Sequence, residues 1–207
     1  MPKPQRSITV LFEWISEGDR EAFNELFLGY YDKLVSFTKH YVRQAEIAEE
    51  ISSELFVKIW LKREAMRHIL KPEVYLYISA KNAALNHLRN AKKHNISSPG
   101  HESMEVLTLA DNDSSAMERK ELIRKLDESI VALPEQRQII FRLIKEDGLK
   151  SKEVAAILNI SVRTVENQMY KAVKKLADTL SDYLGYHPQH RISKKNPLSG
   201  LPILFFF

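Results

Sequence analysis

Apolar side chains recur three and four residues apart along most of this chain, and no run alternates as a half-buried strand would. In residues 20–42, Phe23, Leu26, Phe27, Tyr30, Leu34, Phe37 and Tyr41 fall on one stripe. Residues 45–62 repeat the pattern with Ile47, Ile51, Leu55 and Ile59, flanked by Phe56 and Trp60. Pro72 suits the first position of a third helix, where its missing N–H costs nothing. The spacing carries that helix through Val74, Ile78, Leu85 and Leu88 as its apolar stripe. The period is lost across "HNISSPGHESMEVLTLADNDSSA", which is rich in turn formers and reads as a flexible linker. It resumes at Met117 and continues to Tyr183, broken near Pro134 and Gly148. The pattern predicts an all-α protein of two small helical domains, residues 8–93 and 117–183. A linker at 94–116 joins them, and a tail at 184–207 ends the sequence.

"SKEVAAILNISVRTVENQMYKAVKKL", residues 151–176, has the form of a helix-turn-helix. Val154, Ala155 and Leu158 share a face, and Ala155 is small where a second helix must cross closely. Asn159 sits at the helix stop, where left-handed geometry is needed and Asn is second only to Gly. Ser161 is a good N-cap for the next helix. That helix turns Val162, Val165, Met169, Val173 and Leu176 inward. Arg163, Thr164, Glu166, Asn167, Tyr170, Lys171 and Lys174 are left for a ligand. Arg and Asn can contact base edges bidentately in a major groove, and Lys suits phosphates. Arg163, Glu166, Asn167 and Tyr170 are therefore the candidate readers, with Lys171, Lys174 and Lys175 as phosphate anchors. The bland alternative is a solvated corner of a helical bundle.

Charge sharpens this picture. The whole chain of 207 residues carries only a net +4, but residues 137–175 hold nine Lys/Arg against four Asp/Glu, a local +5. Residues 45–60 are acidic at −3, through Glu46, Glu49, Glu50 and Glu54 against Lys58, and residues 62–93 are basic at +6. An acidic helix beside a basic one suggests two partners for two faces. On the basic helix Tyr75, Asn82, Asn86, Arg89 and Lys93 fall near one line, opposite the apolar stripe. Aromatics among cations and amides suit the holding of unpaired bases. The preceding loop, "LKREAMRHILKP", adds Lys62 and Arg63 and is placed to cover a flipped base.

Composition excludes several alternatives. With no cysteine there is no disulfide, thiol nucleophile or zinc-thiolate site, which fits a reducing cytoplasm. Six glycines without a Gly-rich loop argue against a phosphate-cradling nucleotide site. No apolar run approaches the ~20 residues of a membrane span, and the first residues lack a signal-peptide pattern. The histidines His40, His68, His87, His94 and His101 have no metal-ligand spacing. No cofactor, metal or catalytic residue is expected, and the chain is expected to be a cytoplasmic monomer.

Taken together, "AEEISSELFVKIW", "VYLYISAKNAALNHLR" and "LPEQRQIIFRLIKEDGLKSKEVAAILNISVRTVENQMYKAVKKL" resemble the bacterial extracytoplasmic-function sigma factors of the sigma-70 family, over roughly residues 20–180. The resemblance implies a promoter-specific transcription initiation factor without catalysis of its own, binding core RNA polymerase and promoter DNA. It implies that Glu49, Glu50, Ser53, Glu54, Phe56 and Trp60 dock on the polymerase clamp. Lys62, Arg63, Tyr75, Lys81, Asn82, Asn86, Arg89 and Lys93 would read and melt the −10 element, and the recognition helix from Val162 the −35 element. The linker would thread through the polymerase toward its RNA exit path. An anti-sigma factor is a further implied partner. Three departures stand out. Ser52 and Ser53 stand in place of an aliphatic residue and Gln, Glu166 stands where a basic or small residue is frequent, and the tail from Tyr186 onward has no counterpart in the core pattern; separately, the family more often shows Asp at Asn86.

Two questions stay open at this level. A helix-turn-helix regulator acting outside the polymerase would also fit residues 133–158, although residues 1–116 lack the strand–helix alternation of a receiver. The tail "LPILFFF" is a disordered end, a clip that packs on the folded modules or an inhibitory partner, or a weak membrane-surface contact.

Overall fold

The computed structural model describes residues 6–93 and 114–184; for Lys93, residues 114–120 and residues 182–184 it describes the backbone alone. The described residues are helical, with no strand among them. In chain order they form α1 (Ile8–Ser16), α2 (Arg20–Val42), α3 (Ala45–Leu61), a 3-10 segment (Arg63–His68) and α4 (Pro72–Lys93). After residues 94–113 come α5 (Ser114–Val131), α6 (Glu135–Lys145), α7 (Ser151–Leu158) and α8 (Val162–Leu184). The chain divides into two compact units, the first holding α1 to α4 and the second α5, α6 and α8. Helix α5 begins at Ser114, inside the segment read as linker. The apolar tail and the rest of the linker lie outside the described residues.

Local chemistry sets the helix ends in the first unit. Asp19 caps α2, its Oδ1 accepting from the amides of Glu21 (2.7 Å) and Ala22 (3.0 Å). The same helix stops at Arg43, whose φ of 63° is left-handed although the residue is not glycine. The two-residue turn then sends α3 back along α2. Aromatic pairs hold this hairpin together: Phe27 meets Phe56 at 5.0 Å, and Phe23 meets Trp60 at 5.1 Å. Leu26, Leu34, Leu55 and Ile59 fill the space beneath.

Helix α4 lies against α1, α2 and α3 at once, and its buried face differs from the expected stripe. Val74, Leu76, Tyr77, Ala80 and Ala84 are buried, whereas Leu85 is 39% exposed. Tyr77 stands edge-on to Phe37, with ring centroids 5.1 Å apart. Two alanines do the work expected of Ile78 and Leu85, because helices that cross closely leave no room for longer side chains.

In the second unit α8 packs on α6 and α5. Ile139, Ile140, Phe141 and Leu143 of α6 form the core with Val165, Met169, Ala172, Val173, Leu176 and Leu180 of α8. Gly148, at φ 76°, makes the turn between α6 and α7, a conformation that other side chains rarely adopt.

Candidate nucleic-acid interface

The turn between α7 and α8 is built by three polar residues. Asn159 is left-handed (φ 57°, ψ 49°) and closes α7, its amide donating to the Ala155 carbonyl. Ser161 then caps α8, its Oγ accepting from the Thr164 amide at 3.0 Å and pairing with the Thr164 hydroxyl at 2.8 Å. Thr164, a candidate contact in the sequence, is therefore held in the cap. Val165 and Met169 anchor the helix from below. Arg163, Glu166, Asn167, Lys171 and Lys174 stand exposed, and Tyr170 is half-buried beside them. Gln168 is turned the other way and accepts from Arg137 Nε of α6 at 3.3 Å, which ties the two helices. The outward face thus presents three cations, one amide and one carboxylate on a single rigid helix, a composition suited to phosphates and base edges.

The first unit has a second polar surface, a groove of about 500 Å³ between α3 and α4. Lys62, Tyr75, Asn82 and Asn86, all singled out in the sequence, line it together. Ser79, His87 and Asn90 line it too, and their helical spacing on α4 alone could have signalled them; Lys58 joins from α3. The opposite wall carries Glu50 and Glu54, and Glu54 pairs with Lys58 at 2.7 Å across exposed side chains. Tyr75 is half-buried and set edge-on to Phe12, 6.3 Å between centroids, which fixes its ring. Asn82, Asn86 and Arg89 are exposed, with Arg89 donating to Asn86 Oδ1 at 3.2 Å. Arg63 is engaged locally: it lies 5.3 Å from the Trp60 ring centroid and donates to the Trp60 carbonyl at 3.3 Å. Lys81 is half-buried, and desolvation holds its ammonium below the usual lysine range. The Lys93 side chain lies outside the described residues.

Helix α3 turns Glu49, Glu50, Ser53 and Glu54 to solvent. Phe56 departs from expectation. It is 2% exposed, packed against Phe23, Phe27 and Tyr31, and belongs to the core rather than to a docking face. Trp60 is half-buried. The outer face instead shows Val57 and Leu61, which lie off the Ile47, Ile51, Leu55 and Ile59 stripe and had no place in the sequence reading. Ser52 and Ser53 also separate. Ser52 is fully buried, and its Oγ has no hydrogen-bond partner among the described residues, whereas Ser53 meets the Tyr31 hydroxyl at 3.4 Å in the open.

Among the described residues no group of three or more His, Asp or Glu is placed to hold a metal ion. No helix among them is long and apolar enough to cross a membrane.

Comparison with known proteins adds independent findings. The family model for sigma-70 region 2 matches residues 26–94, and that for sigma-70 region 4 matches residues 123–176. The ECF RNA polymerase sigma-E factor of Escherichia coli K12 is 29% identical over 170 residues, covering 79% of this chain and 88% of that protein. The RNA polymerase sigma-H factor of Pseudomonas aeruginosa is 26% identical over 181 residues, covering 84% of this chain and 94% of its own length. Among solved structures, CnrH in complex with the cytosolic domain of CnrY has a TM-score of 0.50 at 18% identity, covering 84% of this chain and 97% of that one. This last likeness is one of fold.

Proposed function

The chain belongs to the extracytoplasmic-function group of the sigma-70 family, as a promoter-specific transcription initiation factor, and from this premise we propose how its surfaces share that work. A helix-turn-helix regulator outside the polymerase is not favoured, because such a protein has no use for a region 2 placed ahead of region 4.

The recognition helix α8 fixes the protein on the double-stranded −35 element. Arg163, Glu166, Asn167 and Tyr170 meet base edges, and Lys171 and Lys174 meet phosphates. The observation that carries the rest is the α3–α4 groove, which gathers Lys62, Tyr75, Asn82 and Asn86 in a cleft large enough for a nucleobase. A fixed aromatic ring, two amides and a cation are what an unpaired base needs: a stacking surface, donors and acceptors for its edge, and charge for its phosphate. Holding bases of the −10 element there offsets an unstacking cost of a few kcal/mol. Arg89, Lys81 and Lys93 extend the basic face along α4, and Arg63 steadies the loop through Trp60. On α3, Glu49 and Ser53 outside the groove and Glu50 and Glu54 on its wall dock on the polymerase clamp, with Phe56 and Trp60 supporting that helix from beneath.

The functional domains span 8–93 and 117–183. Residues 94–116 thread through the polymerase toward the RNA exit, and residues 184–207 lie outside both domains. The polymerase makes the RNA; this chain works as a cytoplasmic monomer without catalysis or cofactor, and an anti-sigma factor holds it until an envelope signal arrives.

The decisive experiment reconstitutes the full chain with core RNA polymerase and measures run-off transcription on duplex and on pre-melted promoters. Asn82→Ala and Tyr75→Ala should lower output from duplex promoters about ten-fold, and pre-melted templates should restore most of it. An equal loss on both templates would place these residues outside the melting step. No association with core polymerase would refute the assignment of surfaces altogether.

A further inference from the structure

Helix α8 opens against the usual electrostatics of a helix. In α2, α6 and α7 a carboxylate stands in the first turn (Glu21, Glu135 and Glu153), where it faces the positive end of the helix dipole. The first turn of α8 has no acidic residue; it carries Arg163, and Glu166 follows one turn later. This order, cation before anion, is the weaker of the two for a pair on one helix. The pair is also left open. Glu121 and Arg124, at the same three-residue spacing, meet at 2.6 Å, and Arg142 and Glu146 meet at 2.9 Å. Arg163 and Glu166 are both exposed, and among the described residues neither side chain has an ion pair or a hydrogen bond. Helix stability therefore gives no account of either residue.

A base pair does account for them. Phosphates repel a carboxylate, so Glu166 gains only where it faces a base edge that donates. Along its major-groove edge a cytosine–guanine pair presents the N4 amino donor of cytosine, then the O6 and N7 acceptors of guanine. Adenine also offers an amino group, but it lies between two acceptors, its own N7 and the O4 of thymine. Cytosine N4 has an acceptor on one side only. A carboxylate accepts only and a guanidinium donates only, and at this spacing their Cβ atoms stand about 5–6 Å apart. Side by side they match the donor-then-acceptor edge of the cytosine–guanine pair.

We propose that Arg163 and Glu166 read one cytosine–guanine pair of the −35 element together, Glu166 accepting from cytosine N4 and Arg163 donating to guanine O6 and N7. This rests on α8 being the −35 reader, and it names the base pair that the two residues select. The opposite charges lie side by side once water is expelled, so neither enters the groove uncompensated. The reading has a direction. Turning the pair round sets guanine O6 and N7 against the carboxylate and the cytosine amino group against the guanidinium, which repels at both ends.

The test lets the full chain, bound to core RNA polymerase, select duplex promoters randomised over the −35 element, and counts the sequences retained. The wild-type protein should favour one orientation of a cytosine–guanine pair at one position by about ten-fold. Glu166→Ala and Arg163→Ala should each relax that position and no other. Glu166→Gln should turn the preference there toward adenine, because glutamine meets adenine N6 and N7 bidentately. A residue that merely shapes the helix would not change the letter in this way. Pyrimidin-2-one, which lacks the N4 amino group, should cost the wild-type protein more than Glu166→Ala when it replaces that cytosine. Relaxation at a position where the wild type favours another pair, or at different positions in the two alanine variants, overturns the proposal. Unchanged preferences in Glu166→Ala overturn it too. If Asn167→Ala then still relaxes a position of its own, the −35 role of α8 stands and only the joint reading falls. If none of the three alanine variants alters any position, the −35 role of α8 falls with it.

Discussion

Helices α4 and α8 have almost the same length, 22 and 23 residues, and each turns a polar face outward for nucleic acid in the reading above. They are held in different ways. Helix α8 packs on one side, against α6 and α5, so its inward and outward positions separate cleanly at a period of 3.6. Helix α4 is surrounded by α1, α2 and α3, and its remaining free surface forms one wall of a groove whose other wall is α3. A one-sided helix presents its side chains as a fixed array, suited to a regular duplex. A helix embedded on three sides contributes to a cleft, suited to a single base drawn out of its stack.

The comparison can be broken most severely through the core. Phe56→Ala should cost the first unit about 3–5 kcal/mol, because it removes the ring on which Phe23, Phe27 and Tyr31 converge. Trp14 and Trp60 both belong to that unit, so tryptophan fluorescence in denaturant follows it alone, and far-UV circular dichroism follows both. The fluorescence midpoint should fall while a later dichroism transition persists. A single shifted transition in both signals would mean that the units unfold together.

A second test sharpens the picture of α8. Asn167→Ala should cost about 1–3 kcal/mol on the preferred −35 sequence and little on unrelated DNA. Lys171→Ala should weaken both about equally and reduce the salt slope by about one. If Asn167→Ala weakens all sequences alike, its amide is a backbone contact. The smallest effect is expected at Ser52. An unpartnered buried hydroxyl destabilises the fold, so Ser52→Ala should raise the stability of the first unit by about 1 kcal/mol in the same denaturant series. A loss of stability would show that the hydroxyl has a partner in solution.

The same contrast explains how far the sequence could be read. The turn at Asn159 and the cap at Ser161 follow from local rules and are seen in the structure; of the outward set on α8, Arg163, Glu166, Asn167, Lys171 and Lys174 are exposed, whereas Thr164 is drawn into the cap and Tyr170 is half-buried. Periodicity failed on α4, where Ala80 and Ala84 are core and Leu85 is not, because side-chain size is a poor guide where helices cross closely. On α3 the pattern gave no place to Val57, which packing exposes, and the family resemblance set Phe56 on a docking face, whereas packing buries it. The groove was half legible. Its α4 residues were found from their line on one helix, but the wall supplied by Glu50, Glu54 and Lys58 is a tertiary fact that no single-helix pattern contains.

The cap and core of α8 are interleaved with its outward face. Ser161, Thr164, Val165 and Met169 set the position of the helix, while Arg163, Glu166 and Asn167 bear no part of that load. Such a division separates inheritance of shape from inheritance of preference. Under the proposed role of this helix, a change of promoter preference at Arg163, Glu166 or Asn167 leaves its cap and its buried anchors in place.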